Sequence, residues 1–305
     1  MRVVITGATG MIGSAVVRAL RGRGDAVVAL SRDAARGRER FGAGVEVHAW
    51  PQPTLSPPPA EALAGADAVV NLLGAPVAQR WTDRAKRDIR ESRVAGTREL
   101  VRGIAALPDG ERPAVLVSQS ATGYYGPQDD RPLDEDAPPG DDFLAGVVVA
   151  WESEARAAEP VARVVLTRTG VVLSPSGGAL GKMLPPFKLG VGGPVAGGRQ
   201  YVPWVHLDDV VGGMLRCLDD DRLRGPANLM APNPVTNAEL SRALGRVLRR
   251  PAVLPVPALA LRVLYGEMSL IVTTGQRALP ERLKAAGHEF RFPDVEPALR
   301  DVLAR

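Results

Sequence analysis

Gly7-Ala8-Thr9-Gly10-Met11-Ile12-Gly13 lies directly after the run Arg2-Val3-Val4-Ile5-Thr6 and directly before "SAVVRALRGRG". Three glycines at this spacing, between a strand and a helix, suit a pyrophosphate. The bare backbone approaches closely, and the helix start offers unpaired N–H groups with a favourable dipole. The second β-branched run ends Ala29-Leu30-Ser31-Arg32. A free ribose diol calls for Asp or Glu at that point, whereas Ser31 and Arg32 suit a 2′-phosphate. The pattern predicts NADP(H) rather than NAD(H), held by Gly7, Thr9, Gly10, Met11, Ile12, Gly13, Ser31 and Arg32. The bland alternative for Arg32 is a solvated arginine at a helix start.

The elements that must position this site alternate in kind. Short β-branched runs, "RVVITG", "AVVALS", "VEVHAW", "DAVVNLLG", "AVLVSQS" and "RVVLTRTGVVL", are separated by helical patterns at 11–23, 33–41 and 83–107. That alternation predicts βαβ units and a parallel sheet. The runs at 68–73 and 114–118 are apolar on consecutive positions, as strands covered on both faces should be. The segment "PQPTLSPPPAEA" (51–62) reads as an exposed polyproline-like connection. After about residue 173 the chain becomes rich in Gly and Pro, "SPSGGALGKMLPPFKLGVGGPVAGG", and reads as ordered loops around a pocket. A helix pattern returns at 208–219, and 236–305 reads as helices. The predicted fold class is α/β, a Rossmann-type doubly wound parallel sheet with a smaller C-terminal cap. Residues 1–172 plus 202–228 form the nucleotide domain, and 173–201 plus 229–305 form the cap over the substrate.

Composition narrows the rest. The 305 residues are 45% hydrophobic and 24% charged, and no apolar run approaches the roughly 20 residues a membrane span needs. The opening residues do not resemble a signal peptide, which predicts a cytoplasmic protein. The single cysteine, Cys217, excludes a disulfide framework and a cysteine-based metal cluster, and suits a buried helix position. The net charge of +4 is dispersed and almost wholly arginine, with no basic block or basic-aromatic interleaving. A small molecule is therefore the expected partner, with neither nucleic acid nor membrane; the oligomeric state stays open.

With those residues placed, the chain resembles the extended short-chain dehydrogenase/reductase superfamily, of the NAD-dependent epimerase/dehydratase type. The glycine pattern, "SQSATGYYG" (118–126), "RTGVVLSP" (168–175) and "YVPWVHLDDV" (201–210) carry the likeness. "SRVAGT", "SATGYYG", "WESEA", "GGALGKMLPPFKLGVGGP" and "TTGQRALPERLKAAG" narrow it to the atypical YfcH-like branch of epimerase family proteins. The resemblance implies that Asn71, Leu72 and Gly74 end a strand beside the cofactor and that Ser118 lies on the serine strand. It places Arg168, Thr169 and Val171 at the nicotinamide end. Arg93 stands where the superfamily commonly has Asn, which puts a cation near the cofactor instead.

The same resemblance implies a Tyr and, four residues on, a Lys. They would share one helix face, with the Lys lowering the Tyr pKa so that the phenol exchanges a proton. Here Phe143 and Val147 are expected at those places, and no Tyr-x-x-x-Lys occurs anywhere in the chain. Ser120 would orient the substrate oxygen, with water or the hydroxyl of Tyr124 or Tyr125 relaying the proton. Glu152 reads either as part of the site or as a solvated helix face. Lys182, Lys188 and Arg199 are candidates for an anionic substrate, and His206 is of a residue type suited to acid–base work, although the resemblance implies that its histidine-aspartate segment mostly orders the loop that closes the site. The expected activity is oxidoreduction or epimerisation of a small carbonyl, hydroxyl or sugar-type compound. The competing reading is a non-catalytic protein that responds to NADP(H).

Overall fold

The structure, a computed structural model, describes residues 1–174 and 177–304. Seven strands form one sheet: β1 (Arg2–Thr6), β2 (Ala26–Ser31), β3 (Glu46–Ala49), β4 (Ala68–Asn71), β5 (Val115–Ala121), β6 (Arg163–Thr169) and β7 (Gly225–Leu229). Their order is β7-β6-β5-β4-β1-β2-β3, and every pairing is parallel. The strand order reverses at β1, and the crevice at such a reversal, beyond the strand C-termini, is where open α/β sheets bind ligands.

Alternation along the strands sends side chains to two apolar layers. Val3, Ile5, Val27, Val70 and Val117 pack with α1 (Met11–Gly22) and α6 (Leu207–Asp219). Val4, Val28, Val69, Leu116 and Leu166 face the other way, onto α3 (Asp83–Ala105) and α4 (Phe143–Arg156). Burial on both faces explains the unbroken apolar runs in the sequence. The stretch 51–62 is less free than expected. Pro58 is buried against Gly103 of α3, and Ala62 and Leu63 are buried in a single helical turn.

A third apolar cluster joins Leu173, Leu180, Phe187 and Trp204 to Leu240, Leu244, Leu299 and Val302. It is built by α5 (Gly178–Lys188), α7 (Asn237–Leu248) and α9 (Val295–Ala304). Ala278, Leu283 and Ala286 pack instead into the β1–α1 layer, and Arg277–Ala278 pairs with Pro132–Leu133. The C-terminal part of the chain thus contributes to both bodies. Pro175, the end of "RTGVVLSP", lies outside the described residues.

Candidate active site

The glycine turn explains each of its glycines separately. Gly7 has φ +62°, and a Cβ there would lie 2.4 Å from the Leu72 carbonyl oxygen. A Cβ at Gly13 would lie 2.3 Å from the Gly7 oxygen, so α1 seats directly on the turn. Gly10 is exposed and caps α1 without a side-chain hydrogen bond. The first turn of α1 carries neither a side-chain cap nor an acidic residue, a helix start suited to an anion. Thr9 is exposed at this helix start, with Met11 and Ile12 half-buried beside it.

At the end of β2, Arg32 is exposed and Ser31 half-buried. Ser31 Oγ donates to the Asp33 carbonyl at 2.8 Å, and Asp33 caps α2 (Ala34–Phe41) by accepting from the Arg36 N–H. Two further arginines escaped the sequence reading. Arg36 and Arg40 share one face of α2 at i, i+4, and Arg40 Nη2 donates to Ser14 Oγ at 2.9 Å, which turns that face toward the start of α1. The density of arginine in "SRDAARGRERF" was the available signal.

Asn71 and Ser118 sit under the cleft rather than in it. Both are fully buried. Asn71 Oδ1 accepts from Thr6 Oγ1 at 2.8 Å, while its Nδ2 donates to Thr97 Oγ1 at 2.9 Å and to Ser118 Oγ at 3.2 Å. Thr6 Oγ1 in turn accepts from the Leu72 N–H at 2.9 Å. The network fixes β1, β4, β5 and α3 together and holds Leu72 at the cleft floor. The side chains of Asn71 and Ser118 are thus engaged within the protein, in a network that positions the strand ends. Gly74 is engaged in a similar way: a Cβ there would lie 3.0 Å from the Arg93 guanidinium, so the close approach is made by the protein's own cation. Arg93 Nη1 donates to the Ala75 and Ile89 carbonyls, its charge lies 5.3 Å from the Trp151 ring, and burial pulls its pKa down to about 10.

Around the serine strand the expected residues come together, but they engage one another. Ser120 is fully buried and its Oγ donates to Glu152 Oε1 at 2.6 Å. Glu152 also receives Arg168 through Nε at 2.8 Å and Nη2 at 3.0 Å, both partners being buried. Burial would lower the Arg168 pKa, but the paired carboxylate outweighs it and holds the guanidinium above its ordinary value. Arg168 stacks 3.4 Å from the centre of the half-buried Tyr124 ring. Its Nη1 donates to the Tyr125 hydroxyl at 3.2 Å, which lies 2.7 Å from Asn228 Oδ1 and 3.0 Å from the Asp134 carbonyl. Burial pushes the Tyr125 pKa up to about 12, Arg168 opposing it only in part. Tyr125 and Arg168 are both buried, with their polar atoms engaged by Glu152, Asn228 and main-chain carbonyls, and Arg168 lines a cavity together with Tyr124. Glu152 is not a solvated face but the anion that balances Arg168.

The apolar pair over this loop is shifted by one residue. The bare side of Gly123 looks onto Leu144 Cβ at 3.4 Å and Val148 Cγ2 at 3.9 Å, so Leu144 and Val148 cover the serine loop. Phe143 instead packs edge-on against Trp81, with Lys86 over its ring, and Val147 is buried. Neither pair carries an exchangeable proton.

Of the residues named for the substrate, His206 has an ordering role. It is buried, its Nδ1 accepts the Asp208 N–H as the cap of α6, and its Nε2 lies 3.1 Å from Asp301 Oδ2. It orders a helix start. Val171 is half-buried, with its N–H bonded to the Pro203 carbonyl. Lys182 reaches from α5 to the Ala78 carbonyl at 2.5 Å, tying the cap to the loop after β4. Lys188 and Arg199 are exposed on the cap.

The family described as "NAD dependent epimerase/dehydratase family" matches residues 3–229. The chain belongs to that family. Residues 256–302 match a second family, "Domain of unknown function (DUF1731)". The "Epimerase family protein SDR39U1 homolog, chloroplastic" of Arabidopsis thaliana is 40% identical, covering 99% of this chain and 87% of its own. "Epimerase family protein MT2273" of Mycobacterium tuberculosis is 42% identical over 97% of this chain and 96% of its own. The crystal structure of human epimerase family protein SDR39U1 with NADPH is 34% identical, with TM-score 0.89 and 100% of both chains covered.

Proposed function

We propose that this epimerase family member binds NADP(H) at the turn Gly7–Gly13 and exchanges hydride with a small carbonyl, hydroxyl or sugar-type substrate. We place it in the cytoplasm. The observation that carries the reading is the start of α1, without a side-chain cap or an acidic residue, together with an exposed Arg32 at the end of the neighbouring strand β2. The NADPH in the crystal structure of the SDR39U1 relative supports it. When bound, the cofactor supplies hydride chemistry. The chain's own part is to offer N–H groups to the diphosphate and to set Arg32, with Arg36 and Arg40 behind it, against the 2′-phosphate.

Tyr124 is our candidate for the proton-carrying group. It is the half-buried member of the serine-loop pair, and Arg168 fixes its ring from below. Ser120 is assigned to holding Glu152, with substrate orientation as the secondary role to be tested. A second reading has one observation in its favour: Ser120, Glu152, Arg168 and Tyr125 satisfy one another inside the protein, as they would in a chain that binds the cofactor without turning it over.

The deciding experiment is NADPH oxidation by the purified chain against aldehydes, ketones, quinones and keto-sugars, with Tyr124→Phe and Ser120→Ala alongside. Turnover that Tyr124→Phe abolishes while NADPH binding persists supports the assignment. Turnover unchanged in Tyr124→Phe removes it, and tight binding with no turnover on any compound favours the second reading.

A further inference from the structure

The exposed large aliphatic residues of the described chain are not scattered. Apart from Met1, Leu55 and Val149, all of them fall in 189–191 and 253–272. Within this region α8 (Ala258–Tyr265) buries none of its residues; Leu259, Val263 and Leu264 are 72%, 68% and 63% exposed. A helix that is apolar around its circumference is normally enclosed by protein or lipid. This one stands on the surface.

The two stretches form one patch. The Val256 N–H bonds to the Pro194 carbonyl, the Ala196 N–H bonds to the Val256 carbonyl, and Gly193 lies directly on the backbone of Leu254. The patch is anchored beside the cleft. Arg80 donates to the Val263 carbonyl, and Lys86 pairs with Glu267, both from the region that follows β4.

Its rim is cationic. Between residues 241 and 272 stand five arginines, at 242, 246, 249, 250 and 262, against the single Glu267. That surplus equals the net +4 of the whole chain, so the excess charge expected to be dispersed is instead gathered in this stretch. Arg242, Arg246, Arg249 and Arg250 line one shallow groove with Ala252 and Val253.

We propose that this face docks on the surface of an anionic phospholipid bilayer. Aliphatic side chains entering the headgroup boundary, with arginines around them at the phosphates, are the pattern of an interfacial anchor. A second copy of the chain fits poorly: Arg246 is paired with Glu296, but two such rims would still bring the other four arginines of each against those of its partner. A protein partner fits poorly as well, since interface hot spots favour Trp and Tyr and the exposed patch offers only Tyr265. The expectation of no membrane contact rested on the lack of an apolar run of spanning length. No helix among the described residues is long and apolar enough to cross a membrane, but an anchor lying in the interface does not need to be.

The test is co-sedimentation of the full chain with vesicles of phosphatidylcholine alone and with added phosphatidylglycerol. The expected result is pelleting only with phosphatidylglycerol, weakening as salt rises. Leu259→Glu with Leu264→Glu, at exposed positions and with thermal unfolding as in the wild type, should abolish it. Arg249→Ala with Arg250→Ala should weaken it more than about tenfold. No pelleting on phosphatidylglycerol, or pelleting that survives the glutamate pair, overturns the proposal. So does a dimer in solution that the glutamate pair converts to monomer.

Discussion

The Arg168 guanidinium lies 3.4 Å from the centre of the Tyr124 ring and is held there by a two-point ion pair with Glu152. One buried cation thereby sets a half-exposed phenol at the end of β5. The ring has a fixed charge against one face, an arrangement in which cation–π attraction of about 2 kcal/mol is available to a desolvated pair.

Glu152→Ala leaves Arg168 buried without its counter-charge, and breaking a buried pair from one side costs about 3–5 kcal/mol. Urea unfolding should report that loss. Glu152→Gln keeps an acceptor for Ser120 Oγ and should lose less. Equal stability of Glu152→Ala and the wild type would show that the pair is not buried in solution.

Tyr125 gives the fold a dependence on alkaline pH. Its folded pKa of about 12 stands above the ordinary value of 10.0. The neutral phenol is therefore favoured in the folded state. Its contribution is fully present below about pH 10 and is lost as the pH rises from there toward 12, by roughly 2 kcal/mol. Stability measured from pH 9 to 11 should fall more steeply in the wild type than in Tyr125→Phe, and parallel profiles would remove Tyr125 as the cause.

Cys217 should be silent toward thiol reagents. It is fully buried on α6 and burial pushes its pKa up to about 12, so the thiolate that reacts is absent near neutral pH. Labelling with a disulfide reagent should follow global unfolding, with no fast phase in the native protein. A stoichiometric fast phase would place the thiol at the surface.

Much of the frame could be read from the residues. The consecutive apolar positions of β4 and β5 announced strands covered on both faces, and the turn Gly7–Gly13 sits between β1 and α1 as its spacing required. β7 was less legible, because "GPANL" opens with the two residues least suited to a strand; it survives as the sheet edge, where a proline costs no ladder hydrogen bond on its open side. Glu152 was ambiguous on its own helix. The clue lay elsewhere, in Arg168, a charge inside the otherwise buried run "RVVLTRT" that had to find a carboxylate. His206 could be read two ways, as an acid–base group or as a residue that orders its segment, and tertiary placement shows its ring accepting the Asp208 N–H at the start of α6. The one-residue shift from Phe143 and Val147 to Leu144 and Val148 lies within the rotation of a helix on its sheet, which local sequence does not set.

The most direct test of the central claim is a fluorescence titration of the wild type and Arg32→Ala with NADPH and with NADH. The account predicts that the wild type prefers NADPH and that Arg32→Ala loses about tenfold or more of its NADPH affinity, while NADH binding changes little, since a charge-assisted phosphate contact is worth about 1.5–3 kcal/mol. Equal weakening of both nucleotides, or a wild type that prefers NADH, would contradict it.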